Sequence, residues 1–173
     1  MSNELTRGAV EVNEIAVDYL MEIEAVEAMA IAIERAVQMA PDGRERCDES
    51  SPRIVAHQAL AQLEGISDAV RAYARQILED SNDIEDAVLD WVTGCLEIVV
   101  IYRKSLSDET GSEPEPSAIE LLLTYGGPGV RLTFDRSENG RCDLAVYWGR
   151  DVATRSAFCP RLFGFIENMC VYA

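Results

Sequence analysis

The chain holds a single histidine, His57, and none of its five cysteines stands in a C-x-x-C pair. Structural zinc sites need paired thiolates or imidazoles at short spacing. Cys47, Cys95, Cys142, Cys159 and Cys170 offer none, so no metal and no cofactor is expected. An odd cysteine count also argues against a secreted disulfide framework and for a reducing cytoplasm. Long apolar runs are missing as well. AMAIAI and EIVVIY fall far short of the roughly 20 residues that span a membrane. The opening MSNELTRG lacks the basic-then-apolar pattern of a secretory signal. Patterns of the G-x-S-x-G, H-E-x-x-H and P-loop kind are absent too.

Positive charge is scarce. Lys and Arg number 15 against 31 Asp and Glu, for a net charge of −16 over 173 residues. Nucleic acid and anionic membranes repel such a chain, so neither is expected as a direct partner; a basic protein surface is. The imbalance is confined. Residues 1–116 carry 25 acidic and 9 basic side chains, and residues 117–173 carry 6 of each.

What is plentiful is apolar residue, at 48%, enough for a real core. Val12, Ile15, Tyr19, Ile23, Val26, Ala30, Ile33 and Val37 recur every three to four positions and predict a long helix over 9–40. Pro41-Asp42-Gly43 ends it. Ser51-Pro52 opens a second stripe through Val55, Leu63, Val70 and Ile77, which Gly65 either weakens or splits. Asn82 to Glu85 resembles a capping box. From there Ile84, Val88, Trp91, Cys95, Val99, Tyr102 and Leu106 predict a third helix. The segment DETGSEPEP, 108–116, reads as an acidic linker.

Beyond it the period changes from 3.6 to 2. Strands are expected near 118–125, 130–136 and 141–148, with a fourth near 151–158, separated by the turn signals GGPG and SENG. Pro160 opens a closing helix. The expected fold is α+β. An acidic helical domain (1–107), a bundle of three or four helices, precedes a three- to four-stranded antiparallel sheet with a C-terminal helix (117–173).

The stretch EVNEIAVDYLMEIEAVE, 11–27, holds six carboxylates and no Lys or Arg. Glu11, Glu14, Asp18 and Glu22 share one helix face at spacings of three, four and four, about 5–6 Å apart along the axis. Glu24, Glu27 and Glu34 form a second row. Asp83, Asp86, Asp90 and Glu97 repeat the pattern on the third helix. Like charges so placed oppose the helix by a few tenths of a kcal/mol per pair. One reading is a solvated, solubilising face. The other is a surface that imitates the phosphate repeat of nucleic acid.

Catalytic readings have less support. His57 falls opposite the second apolar stripe, with no partner motif. Cys95 and Cys170 lie on apolar stripes and read as core. TYGGPGVRL reads as a hairpin turn before a phosphate loop. The arginines at 131, 136, 141, 150, 155 and 161 are matched by six acids, so salt pairing is expected of them. Trp148 reads either as a buried anchor or, with Tyr147, as an interface. A hydrolase or metal enzyme built on an unrecognised carboxylate cluster remains as a third reading.

The stretch 119–149 resembles a β-meander of small uncharacterised phage and prophage proteins. The matching residues are Glu120, Leu121, Gly126, Gly127, Pro128, Trp148 and Gly149. The resemblance covers about a fifth of the chain and implies a mobile-element origin and a place in the host-cell cytoplasm. Small acidic proteins of such elements are similar, at the level of class, to anti-CRISPR and anti-restriction inhibitors. The expectation is a non-enzymatic inhibitor that binds the basic surface of a nuclease or CRISPR effector through Glu11, Glu14, Asp18, Glu22, Asp86 and Asp90. The alternative is an assembly module that forms a homodimer or a phage complex through apolar contacts.

Overall fold

The computed structural model describes residues 2–39, 52–81, 86–103, 114–124 and 128–171. Along these run α1 (Ser2–Met39), α2 (Pro52–Ala61), α3 (Asp68–Asp80) and α4 (Ala87–Thr93). The strands follow: β1 (Glu97–Arg103), β2 (Glu115–Thr124), β3 (Gly129–Asp135), β4 (Arg141–Trp148) and β5 (Asp151–Phe158), with α5 (Pro160–Val171) last. The fold is α+β. The chain divides into two compact units, one of Met1–Leu20 with Gly94–Ala173 and the other of Met21–Thr93.

In the first unit the five strands lie in chain order, each antiparallel to the next. Alternation decides the faces. Ile119 pairs with Phe134, Leu121 with Leu132, Val130 with Val146 and Leu132 with Leu144, and all are buried. Burying each such side chain contributes roughly 1.5–3 kcal/mol. On this face α5 places Leu162, Phe163 and Ile166 inward. The Phe163 ring stacks on Phe134 at 5.7 Å between centroids, a favoured aromatic geometry. The other face carries Glu120, Arg131, Asp143 and Tyr147 toward solvent.

The β3–β4 connection is a short 3-10 turn, Arg136–Glu138. The Asp135 carboxylate caps it, accepting the Ser137 N–H at 2.8 Å and the Ser137 hydroxyl at 2.6 Å. These two bonds hold the Asp135 carboxyl below its ordinary range. Asn139 then takes the left-handed conformation, which Asn tolerates better than most residues. Arg136 bridges outward, donating to Glu167 of α5 at 2.5 Å and to the Pro116 carbonyl of β2 at 3.0 Å.

In the second unit α1 buries Ile23, Ala25, Val26, Ala28, Met29 and Ala32. That is wider than a single stripe, and it takes Glu27 inside at 7% exposure. Gly65, at φ +82, lies between α2 and α3, so the second stripe is two helices. The junction is capped from both sides. Arg71 of α3 donates to the carbonyls of Leu60, Ala61 and Leu63 at 3.0, 2.6 and 3.0 Å, satisfying groups that a helix end leaves open. The Ser67 hydroxyl accepts the Val70 N–H at 3.1 Å at the start of α3, as an N-cap does.

The expected third helix is corrected. It ends at Thr93, and Glu97–Arg103 is a strand, so the sheet has five strands rather than three or four. The run Ile98-Val99-Val100-Ile101-Tyr102 is all β-branched or aromatic, which favours a pleated surface over a helix. Its burial alternates from Glu97 to Ile101. Apolar residues that dense satisfy a period of 3.6 and a period of 2 at once, and Gly94 interrupts the helical option. The helical segment expected over 1–107 thus contains β1. The linker expected over 108–116 overlaps β2, which opens at Glu115. The caps expected at Ser51 and at Asn82 to Glu85, and the Gly126-Gly127 turn, lie outside the described residues.

Candidate interaction surface

Glu11, Glu14 and Asp18 are exposed on successive turns of α1, within the sheet-bearing unit. Among the described residues no ion pair forms at any of the three. Between them the helix turns two apolar side chains to solvent, Val10 and Val17, each 53% exposed. The apolar and acidic residues border one open groove of about 520 Å³, lined by Ala9, Val10, Asn13, Glu14, Val17, Asp18 and Arg155.

Arg155 gives the groove its fixed wall. From β5 its guanidinium donates to the Asn13 side-chain oxygen at 2.8 Å and to the Thr154 carbonyl at 2.8 Å. Asn13 in turn donates to the Ala9 carbonyl at 2.7 Å. Arg155 is thus engaged by neutral acceptors and forms no ion pair with Glu14 or Asp18. The sequence does not signal this contact, because Asn13 and Arg155 are 142 positions apart.

Glu22 differs from the rest of its row. It is half-buried in the second unit, and its carboxylate accepts the Trp91 indole N–H at 2.7 Å. The bond ties α1 to α4 inside that unit, so Glu22 has a structural task. Glu27, expected on a second acidic row, is buried. Asp86 and Asp90 are exposed one turn apart at the start of α4, where the Asp90 N–H donates to the Asp86 carbonyl at 2.7 Å. Glu97 does not continue their row, since it begins β1. Asp83 lies outside the described residues.

The salt pairing expected of the arginines is seen for Arg131, Arg136 and Arg141, whereas Arg155 is held by neutral acceptors. Arg131 meets Glu120 at 3.3 Å, and Arg141 meets Glu138 at 3.2 Å and Asp143 at 3.9 Å. Exposed pairs of this kind contribute little to stability, but they leave the sheet without a basic stripe for nucleic acid. Trp148 is 39% and Tyr147 43% exposed, so Trp148 is no buried anchor. His57 is half-buried on α2 rather than exposed. Cys142 and Cys159 are buried, while Cys95 and Cys170 are half-buried. Burial pushes the Cys170 thiol up, away from reactive thiolate. Among the described residues no group of three or more His, Cys, Asp or Glu side chains is arranged to hold a metal ion. No described helix is long and apolar enough to cross a membrane.

Compared with known proteins, the chain matches no family model, no curated protein and no solved structure.

Proposed function

We propose that the protein is a non-enzymatic inhibitor, carried by a phage or other mobile element, that binds a basic nucleic-acid-handling host protein through α1. The observation that carries this reading is the groove beside Glu14 and Asp18. Two carboxylates that form no ion pair among the described residues stand next to exposed Val10 and Val17. Acidic charge alone serves solubility. Carboxylates beside exposed apolar side chains fit a basic, amphipathic segment of a partner, whose cations meet the acids while its apolar face covers the valines. Glu11, one turn earlier, extends the acidic edge. Asp86 and Asp90 belong to the other unit and are assigned a secondary role. Glu22, half-buried and bonded to Trp91, is given a structural role in this proposal rather than a contact.

The partner class follows from charge. Nucleases and nucleic-acid-guided effectors present basic grooves that bind phosphates by charge neutralisation, and a chain of net charge −16 is steered to such a surface. Cytoplasmic action in the infected host cell belongs to the same proposal.

The test is charge reversal of Glu11, Glu14 and Asp18 to Lys, read by titration against a panel of purified nucleases and CRISPR effectors. Binding by the wild type at moderate salt is expected. It should weaken at least about a hundredfold in the triple variant, near 1 kcal/mol for each lost charge contact. Reversal of Asp86 and Asp90 should do less. Wild-type affinity in the triple variant would overturn the assignment to α1.

A further inference from the structure

We infer that β1 is the contact strand of a symmetric dimer, in which it pairs antiparallel with β1 of a second copy about Val100. The inference does not rest on the proposed inhibitor function and involves none of its residues.

Among the described residues β1 is an edge strand, paired with β2 alone. Natural edges are usually blunted by proline, by lysine, or by a side chain that makes strand addition costly. β1, with sequence EIVVIYR, has neither proline nor lysine. It exposes Val99 and Ile101 at 37% each and Tyr102 at 55%. The opposite edge, β5, is managed differently. It reads DVATRSAF, and Arg155 in its middle is held by α1 through Asn13. An exposed apolar edge seven residues long is a template for strand addition.

The sequence of β1 itself identifies the occupant. An antiparallel pair centred on Val100 sets Glu97 opposite Arg103, Ile98 opposite Tyr102, Val99 opposite Ile101, and Val100 opposite its own copy. Two-fold symmetry makes each unlike pair occur twice. Every match is a favoured one: opposite charges, aromatic with β-branched, and β-branched with β-branched. Centring on Val99 or Ile101 instead shortens the ladder and separates the charges. It sets Glu97 opposite Ile101 or Arg103 opposite Val99. The Val100 register also preserves the face alternation. Ile98 and Val100, which alternate with the more exposed Glu97, Val99 and Ile101, stay on one side together with their copies. The two sheets then continue as one, with both apolar cores on the same side.

β1 carries one acidic and one basic side chain, Glu97 and Arg103, and the Val100 register sets these two opposite each other across the two-fold axis. The segment from residue 117 onward, which holds β3 to β5, is balanced at 6 acidic and 6 basic side chains.

The experiment is a charge-swap cycle read by size-exclusion chromatography with light scattering, over a concentration series from micromolar to millimolar. Far-UV circular dichroism confirms that each variant is folded. Wild type should pass reversibly from monomer mass to twice that mass. Glu97→Arg and Arg103→Glu each set like charges opposite one another at two places, and each should raise the dissociation constant about tenfold or more. The double variant Glu97→Arg/Arg103→Glu restores opposite charges and should recover dimerisation to near the wild-type constant. A wild type that stays monomeric across the series would overturn the inference. So would single variants that associate as tightly as wild type, or a double variant no tighter than the singles. None of these results bears on the charge reversal in α1, so the two proposals fail separately.

Discussion

Gly140 is the position where one added methyl group should cost most. It follows the 3-10 turn between β3 and β4 and takes φ +102, a left-handed value that disfavours L side chains by roughly 1–2 kcal/mol. A Cβ there would lie 2.4 Å from the Pro160 Cα and 2.8 Å from the Pro160 nitrogen and Cβ. Carbon atoms at ease stand about 3.5–4.0 Å apart, and the obstacle here is mostly backbone. It cannot step aside easily, because the Cys159 N–H donates to the Gly140 carbonyl at 2.7 Å and α5 begins at the next residue. Opening the gap by more than an ångström moves the hairpin away from the helix that carries Phe163, at a further cost of about 1–3 kcal/mol. Gly140→Ala should therefore lose roughly 2–5 kcal/mol in all. Gly149 supplies the control. Its φ is +62 and nothing lies within 4 Å of its Cβ position, so Gly149→Ala should lose only about 1 kcal/mol. Urea unfolding followed by circular dichroism measures both, with the slope checked for two-state behaviour. Equal losses in the two variants would refute the close approach of hairpin to helix, since conformation alone would then explain both.

The Trp91–Glu22 bond separates structure from function within one acidic row. Trp91→Phe removes the donor and should cost about 1 kcal/mol, less than a fully buried bond to a charged group because Glu22 is only half-buried; the cost should shrink in a Glu22→Ala background when measured by urea unfolding. Glu22→Gln keeps an acceptor and should leave partner affinity unchanged, and a loss comparable to that of an Asp18 variant would return Glu22 to the contact set. For Asp135 the sign follows from its lowered pKa. The folded value lies below the ordinary 3.8, so its capping contribution is present above that pH and fades as pH falls through the folded value. Asp135→Ala should accordingly destabilise by about 0.5 kcal/mol at neutral pH, the low end for an exposed cap, and the difference from wild type should close below pH 3.8 in a pH series of unfolding midpoints.

Much of the fold was legible because each signal was local. Val12, Ile23 and Val26 recur at helical spacing and are buried. The expected strands at 130–136, 141–148 and 151–158 agree with β3, β4 and β5 to within one residue, since period-2 runs between turn residues admit few alternatives. Pro160 opens α5 because its fixed φ suits a first helical position. β1 is not legible as a strand because its apolar residues are too dense to select a period, and what decides is the pairing of Ile98 with Leu121 and of Val100 with Ile119, 23 and 19 positions away. The groove could not be read at all. Arg155 and Asn13 meet only through the tertiary fold, and Val10 and Val17 stand outside the apolar stripe, where a sequence reading passes over them. Glu22 and Glu27 show the same limit from the other side. Helical spacing places a carboxylate on a face, but only the packing of neighbouring helices decides whether that face meets water.

Those two residues also sharpen what the acidity of α1 is for. Glu22 is half-buried against Trp91 and Glu27 is buried, while Glu11, Glu14 and Asp18 are exposed beside Val10 and Val17. A surface that imitates phosphates needs carboxylates alone, and its binding should vanish steeply with salt. In the proposed contact, carboxylates beside two exposed valines would bind through charge and through apolar burial together. Each valine covered removes apolar area from water at about 25 cal/mol per Å², a contribution that salt does not screen. The salt series in the titration therefore distinguishes the two mechanisms within one experiment. Affinity that falls with salt and then levels at a residual value assigns the partner's contact to a basic amphipathic segment in the groove. Affinity that continues to fall on a single logarithmic line, with the valines contributing nothing, assigns it to charge imitation alone.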